Sequence, residues 1–166
     1  MAYEIYPISK KDVEKAYQLE KIGYPKEEAA SRQMLVYRQD EAPELFLGCF
    51  IRSTLIGFIC ATRYHGTSLT GESMNMHIPN GGSVCIHSLC VAPDMRRKGV
   101  GTVLLTAFLE AVKDTQIGVD RIVLICHSNL IPLYTRVGFT LVGKSPVTHG
   151  KGKWWECELI LRGNKR

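Results

Sequence analysis

Val84 to Phe108 reads VCIHSLCVAPDMRRKGVGTVLLTAF, and the reading of this stretch decides the fold. Val84–Val91 is apolar and β-branched enough for a buried strand, and Pro93 ends it. Val100, Val103, Leu104, Ala107, Phe108 and Ala111 then recur at helical spacing, which predicts a helix running to about Asp114. Between them lies the basic turn Arg96-Arg97-Lys98-Gly99-Val100-Gly101-Thr102. Gly99 and Gly101 let a ligand approach the backbone, and the N–H groups that open the helix point outward with the positive end of its dipole. A pyrophosphate suits such a turn. A solvated basic turn with two incidental glycines gives the same pattern, and the turn is neither G-x-x-x-x-G-K-[ST] nor G-x-G-x-x-G.

Outward from that stretch the chain alternates strand and helix. Glu4–Pro7 is a short strand, and Ser9 with Asp12 has the spacing of a capping box before a helix that Gly23 and Pro25 stop. Lys26–Arg38 is predicted as a second helix, with Ala29, Ala30, Met34, Leu35 and Tyr37 as its apolar set. Leu45–Phe50 and Leu55–Tyr64 form a hairpin about Arg52-Ser53-Thr54. His65–Gly82 is polar, aperiodic and long for a turn, which makes it a candidate functional loop. Arg121–Cys126, RIVLIC, reads as a central strand covered on both faces, so strand, helix and strand form a parallel right-handed crossover. Leu130–Val137 is a short helix with Pro132 in its first turn. Phe139–Gly143 and Trp154–Leu161 are closing strands. With no repeat or linker, residues 1–166 are expected to form one α/β domain.

The bulk composition is that of a globular protein. The 166 residues are 45% apolar and 22% charged, and no apolar run approaches the roughly 20 residues of a membrane span. The N-terminus lacks the basic and apolar blocks of a secretory signal, which points to a cytoplasmic protein. A net charge of +5 from 21 basic and 16 acidic residues suits a small anionic ligand and does not require nucleic acid or a membrane. Six cysteines sit beside apolar neighbours with no C-x-x-C pair, so they read as reduced core residues and no metal site is expected.

The motif Arg96-x-x-Gly99-x-Gly101 resembles the [QR]-x-x-G-x-[GA] acyl-CoA-binding signature of the GNAT N-acetyltransferase superfamily. A second signature, a tyrosine in a short helix before Gly-Phe, stands as Tyr134 ahead of Gly138-Phe139. The resemblance covers nearly the whole chain and implies a mixed central sheet of about seven strands flanked by helices, with acetyl-CoA as cosubstrate. It narrows to the aralkylamine (serotonin-type) N-acetyltransferases and related polyamine-acetylating enzymes through Pro43–Gly48, Leu69–Met74, His87–Val91 and Ile131–Tyr134. That family carries two alternating histidines on the strand before the turn. Here Cys85 replaces the first and His87 keeps the second.

The resemblance implies roles that elementary chemistry makes sense of. An alkylamine, with a pKa near 10, is protonated at neutral pH and must lose a proton before it can attack a thioester. His87 suits that task and Tyr134 suits protonation of the leaving thiolate. A backbone N–H near Leu89 can stabilise an oxyanion, and Leu89, Cys90 and Val91 would meet the pantetheine arm in a strand-like contact. Arg96, Arg97, Lys98, Gly99, Val100, Gly101 and Thr102 would hold the pyrophosphate. The expected partners are acetyl-CoA and a small primary amine, an arylalkylamine first, with a polyamine or a peptide as alternatives, and the protein a monomer or weak dimer. A non-catalytic acyl-CoA sensor is the reading from another class. Phe46, Phe50, Phe58 and Tyr64 are candidates for the acceptor pocket, and Glu41 and Glu44 for an acidic patch. His127 is read as structural, and His65, His77 and His149 as solvated.

Overall fold

The computed structural model describes residues 2–161. Seven strands form one mixed sheet in the order β1-β2-β3-β4-β5-β7-β6. They are β1 Glu4–Pro7, β2 Phe46–Ile51, β3 Thr54–Tyr64, β4 Ser83–Val91, β5 Arg121–Cys126, β6 Thr140–Lys144 and β7 Trp155–Ile160. Every neighbouring pair is antiparallel except β4 and β5, which the crossover helix α3, Val100–Thr115, makes parallel. Helices α1, Val13–Gly23, and α2, Arg32–Glu41, cover one face of β2–β4, α3 covers the other, and α4, Ile131–Arg136, follows β5. The expected mixed α/β sheet is therefore present, with strand ends within a residue of the predicted ones.

The parallel pairing of β4 and β5 lasts three residues, Ser83–Arg121, Val84–Ile122 and Cys85–Val123. β5 instead pairs along its whole length with β7 on its other side. From Ile86 onward the β5-facing edge of β4 is left without a strand partner, and a groove opens between the two.

Three elements differ from expectation. The capping box of Ser9 and Asp12 forms, but it opens a 3₁₀ turn at Lys10–Asp12 that leads into α1 at Val13. The second helix begins at Arg32, because the Ser31 hydroxyl accepts the Met34 N–H at 3.1 Å and caps it there. The residues before it form turns, with the N–H groups of Glu28 and Ala29 both donated to Pro25 O. In α3 the buried face is Val100, Leu104, Leu105, Phe108, Leu109 and Val112, whereas Val103 is 41% exposed. A run apolar at both 103 and 105 leaves the period ambiguous, and contact with the sheet selects Leu105.

The main core lies between α3 and the sheet. There Phe108, Leu104 and Val100 pack with Ile59, Val84, Ile122 and Leu124. A second cluster under α1 and α2 joins Phe46, Phe50 and Phe58 to Ile8, Ala16 and Leu35. The loop before β4 is pinned at Gly81, where a Cβ would stand 2.3 Å from the Tyr64 carbonyl oxygen and 2.4 Å from its carbon. Backbone cannot yield there as a flexible side chain can. Gly81→Ala is expected to destabilise the fold by about 2 kcal/mol or more, read as a lower urea midpoint with unchanged slope.

Candidate active site

The glycine turn and the groove between β4 and β5 are continuous. Arg96, Arg97, Lys98 and Gly99 are exposed, and Arg97 and Gly99 both adopt positive φ, 62° and 81°. The first helical bond runs from Val103 N–H to Gly99 O, so the N–H groups of the turn before it have no intrahelical acceptor. A Cβ on Gly99 would meet nothing within 4 Å, and one on Gly101 only a Val91 methyl at 4.0 Å. These glycines are therefore not required for packing. They leave a concave, amide-lined surface that a side chain would fill, and a pyrophosphate fits it. The Arg96 Nε donates to Val91 O at 3.1 Å, tying the turn to the end of β4.

From the turn the groove runs past Gly23, Tyr24, Leu89, Cys90, Val91, Arg96, Gly101, Leu130, Leu133 and Tyr134. Of the residues named from the sequence for the cofactor, Leu89, Cys90, Val91, Arg96 and Gly101 border this groove, whereas Arg97, Lys98, Gly99 and Thr102 lie outside its lining and the Val100 side chain is in the core. The Leu89 N–H, the amide singled out for an oxyanion, donates to Tyr24 Oη at 3.2 Å. Tyr24 was not anticipated from the sequence. It caps the C-terminus of α1 and fills the edge that β5 abandons.

Tyr24 and Tyr134 also border a second chamber deeper in the molecule, where they meet His87, Glu20, Glu28, Leu69, Met74, Ile86, Ile125, His127, His149 and Trp154. The structure therefore brings His87 and Tyr134 to the same cavity. His87 is half-buried, and its Nε2 lies 2.7 Å from Thr62 Oγ1. Its Nδ1 is buried with no hydrogen-bond partner among the described residues. Burial, helped by the nearby Arg38 charge, holds its pKa well below the usual imidazole value. The same desolvation pushes the Tyr134 phenol up, so both groups stay neutral at neutral pH.

A polar lobe adjoins this chamber, lined by Glu20, Glu28, Ala29–Ser31, Met34, Arg38, Met74, Asn75, His87, Ser88 and His149. Glu20 is 2% exposed; its carboxylate accepts the Ala30 N–H at 2.8 Å and faces the Cys90 thiol at 3.5 Å. Burial raises its pKa against the lowering effect of hydrogen bonds from Ala30, Ser88 and Cys90 and of the Arg38 charge. Glu28 holds His127 Nε2 at 3.0 Å, and the Glu28 carbonyl oxygen lies 2.9 Å from His149 Nε2. His127 stacks on Trp154, with ring centroids 4.1 Å apart.

Several side chains sit elsewhere than the sequence suggested. Phe46, Phe50 and Phe58 are core residues beneath α1 and α2, and Tyr64 packs with Cys85 and Val123 while its hydroxyl meets Glu72; none of the four lines the cavity. The acidic groups at the cavity are Glu20 and Glu28, not Glu41 and Glu44. His127 has the structural bonds expected of it but also lines the chamber, and so does His149, which is not merely solvated. His77 accepts the Arg63 N–H at 3.0 Å, and burial lowers its pKa. Among the described residues no group of histidine, cysteine or acidic side chains is arranged to hold a metal, and no helix is long and apolar enough to cross a membrane.

Comparison with known proteins agrees with this architecture. Residues 11–139 match the Acetyltransferase (GNAT) family, and the chain belongs to that family. It is 38% identical over 120 residues to the serotonin N-acetyltransferase of Mesocricetus auratus, covering 72% of this chain and 58% of that protein. The chain thus spans less than two thirds of the length of such relatives. Its fold is similar to the loading GNATL domain of CurA from Lyngbya majuscula, with a TM-score of 0.87 at 12% identity over 98% of this chain and all of that one. It is also similar to the PaiA N-acetyltransferase of Thermoplasma acidophilum, solved in complex with coenzyme A, with a TM-score of 0.68 at 23% identity over 96% and 99% of the two chains.

All six cysteines are free and buried. Burial pushes the thiols up, to about 11 for Cys60 and about 12 for Cys85 and Cys126, with Cys49, Cys90 and Cys157 shifted the same way. A thiol that resists ionisation is a poor nucleophile. Native protein at pH 8 is expected to react with almost none of an aromatic disulfide reagent within minutes. After denaturation in guanidinium, all six thiols should titrate. Rapid native labelling of Cys85 would contradict its placement in the core.

Proposed function

We propose that this protein transfers an acetyl group from acetyl-CoA to a small primary amine, with an arylalkylamine as the leading acceptor class. The observation that carries the reading is that the groove below the glycine turn shares Tyr24, Leu130 and Tyr134 with a chamber that His87 also lines. Bound acetyl-CoA would supply the thioester and a good leaving group. The N–H groups of Gly99–Thr102 and the charges of Arg96, Arg97 and Lys98 hold its phosphates, and Leu89, Cys90 and Val91 line its arm. The apolar body of the amine lies against Trp154, Tyr24, Leu69 and Ile86.

Within that frame the chain's own groups move the protons. Thr62 Oγ1 also reaches Ser73 O at 3.5 Å as a donor, so it accepts from His87 Nε2–H and leaves the lone pair on Nδ1. His87 takes the amine proton at that nitrogen, directly or through water. The Leu89 N–H, which here donates to Tyr24 Oη, would stabilise the charge that develops on the acyl oxygen in exchange for that bond. Tyr134 gives its phenolic proton to the departing thiolate. The two carboxylates, Glu20 and Glu28, favour a cationic acceptor and keep a polyamine as the second reading.

His87→Ala is expected to lower kcat/KM by about a hundredfold or more at neutral pH, with partial recovery at pH 9–10 as free amine accumulates. Because the imidazole pKa is depressed, the wild-type acid limb due to His87 should lie well below 6.5; above it the residue is already neutral and competent. An identical profile in wild type and variant would remove His87 from the base role. Tyr134→Phe should act on kcat more than on KM, and an undiminished kcat would rule out an essential acid. Gly101→Val should fold with an unchanged Tm, since its surroundings are open, yet lose CoA binding by calorimetry.

A further inference from the structure

The polar lobe contains a charge that the reaction proposed above does not use. Arg38 projects from α2 and is only 4% exposed, yet no carboxylate lies within ion-pair distance of it among the described residues. Its Nη2 donates to Met74 O at 2.9 Å, its Nη1 is 4.0 Å from Cys60 Sγ, and its Nε is buried without a hydrogen-bond partner. A buried guanidinium held by one carbonyl and one distant sulfur is costly to desolvate. Glu20, on the same lobe, accepts from the Ala30 N–H and the Cys90 thiol and does not close on Arg38, and it keeps acceptor capacity for a ligand. The lobe is therefore lined by a buried carboxyl group and by a guanidinium with unmade hydrogen bonds, with His87 on the same wall. Glu28 adds a second carboxylate, but His127 Nε2 occupies it. A plain amine or a polyamine satisfies only the negative half and sets its own positive charge against Arg38.

Resting on the acetyltransferase reading, we infer that the acceptor is an amine that also carries a carboxylate, of the α-amino acid type, with the amine at His87 and Glu20, the carboxylate at Arg38 and an apolar or aromatic side chain in the adjoining chamber. The guanidinium is the residue type that grips a carboxylate bidentately, and its remaining hydrogen-bonding capacity is what such a ligand completes. Leu69, Met74, Ile86, Ile125 and Trp154 suit the apolar side chain. A polyamine or an unmodified arylalkylamine can meet the acidic groups of the lobe but leaves Arg38 without a partner.

The test compares tryptophan, tryptophan amide and tryptamine, with thiol release as one readout and calorimetric binding in the presence of CoA as the other. Tryptophan is expected to exceed both of the others in kcat/KM and in affinity by about tenfold or more, the scale of a hydrogen bond between charged groups. In Arg38→Met the tryptophan-to-tryptamine ratio should fall by a similar factor, and in Arg38→Lys by less. If Arg38→Met does not fold, the wild-type ratios and Arg38→Lys decide. Equal use of acid, amide and amine by the wild type, or an unchanged ratio in a folded Arg38→Met, overturns the inference while leaving amine acetylation intact. No turnover of any amine would instead overturn the acetyltransferase reading, and the calorimetric preference for tryptophan would still judge the subsite on its own.

Discussion

The structure depends on the separation of β4 from β5 after Cys85. A parallel pair satisfies backbone groups only while it lasts, and this one lasts three residues. Beyond it, each N–H and C=O on that edge of β4 must find another partner or a ligand. Leu89 N–H finds a phenol from α1, and Val91 O finds a guanidinium from the turn below. β5 is not harmed by the divergence, because β7 pairs with all six of its residues. The sheet thus tolerates an opening in its middle, and that opening is the groove.

Once the opening exists, the elements around it are tied together by polar contacts. Glu20 reaches across to the Ala30 N–H and anchors the turns before α2. Glu28 joins those turns to the segment after β5 through His127, and to the loop before β7 through His149. Trp154 donates its indole N–H to His149 O and stacks on His127. These contacts tie together α1, the turns before α2, the segment after β5 and the loop before β7. Losing one of these contacts would strand a buried polar group, which costs more than the contact contributes when made.

The same fact explains what the sequence revealed. The strands, the crossover helix and the glycine turn were legible because each is a local pattern: RIVLIC, the stripe from Val100 and the Arg96–Thr102 run. His87 and Tyr134 were legible from motifs. Glu20, Arg38 and Tyr24 were not, since their roles come from elements that meet only in the fold. A signal existed for two of them. Glu20 continues the buried spacing of Val13 and Ala16, and Arg38 that of Leu35, so each charge stood on a face the period marks as internal. The aromatic residues of β2 and β3 misled because a phenylalanine on a strand looks alike whether it faces a core or a cavity.

One physical cause sets both ends of the proposed proton route. Desolvation penalises the charged form of any group, but His87 and Tyr134 carry charges of opposite sign when they titrate. For the imidazole the penalty falls on the protonated form and keeps a lone pair available. For the phenol it falls on the deprotonated form and keeps a proton available. Burial at one cavity therefore prepares an acceptor and a donor together, with the Arg38 charge adding to the effect at His87. It also makes His87 a weak base, which favours an amine that is itself easy to deprotonate. A free amino acid gains little there, because its own ionised carboxylate keeps the ammonium more basic than the α-amine of a peptide. What distinguishes an amino acid from a plain amine is therefore Arg38 and not the base.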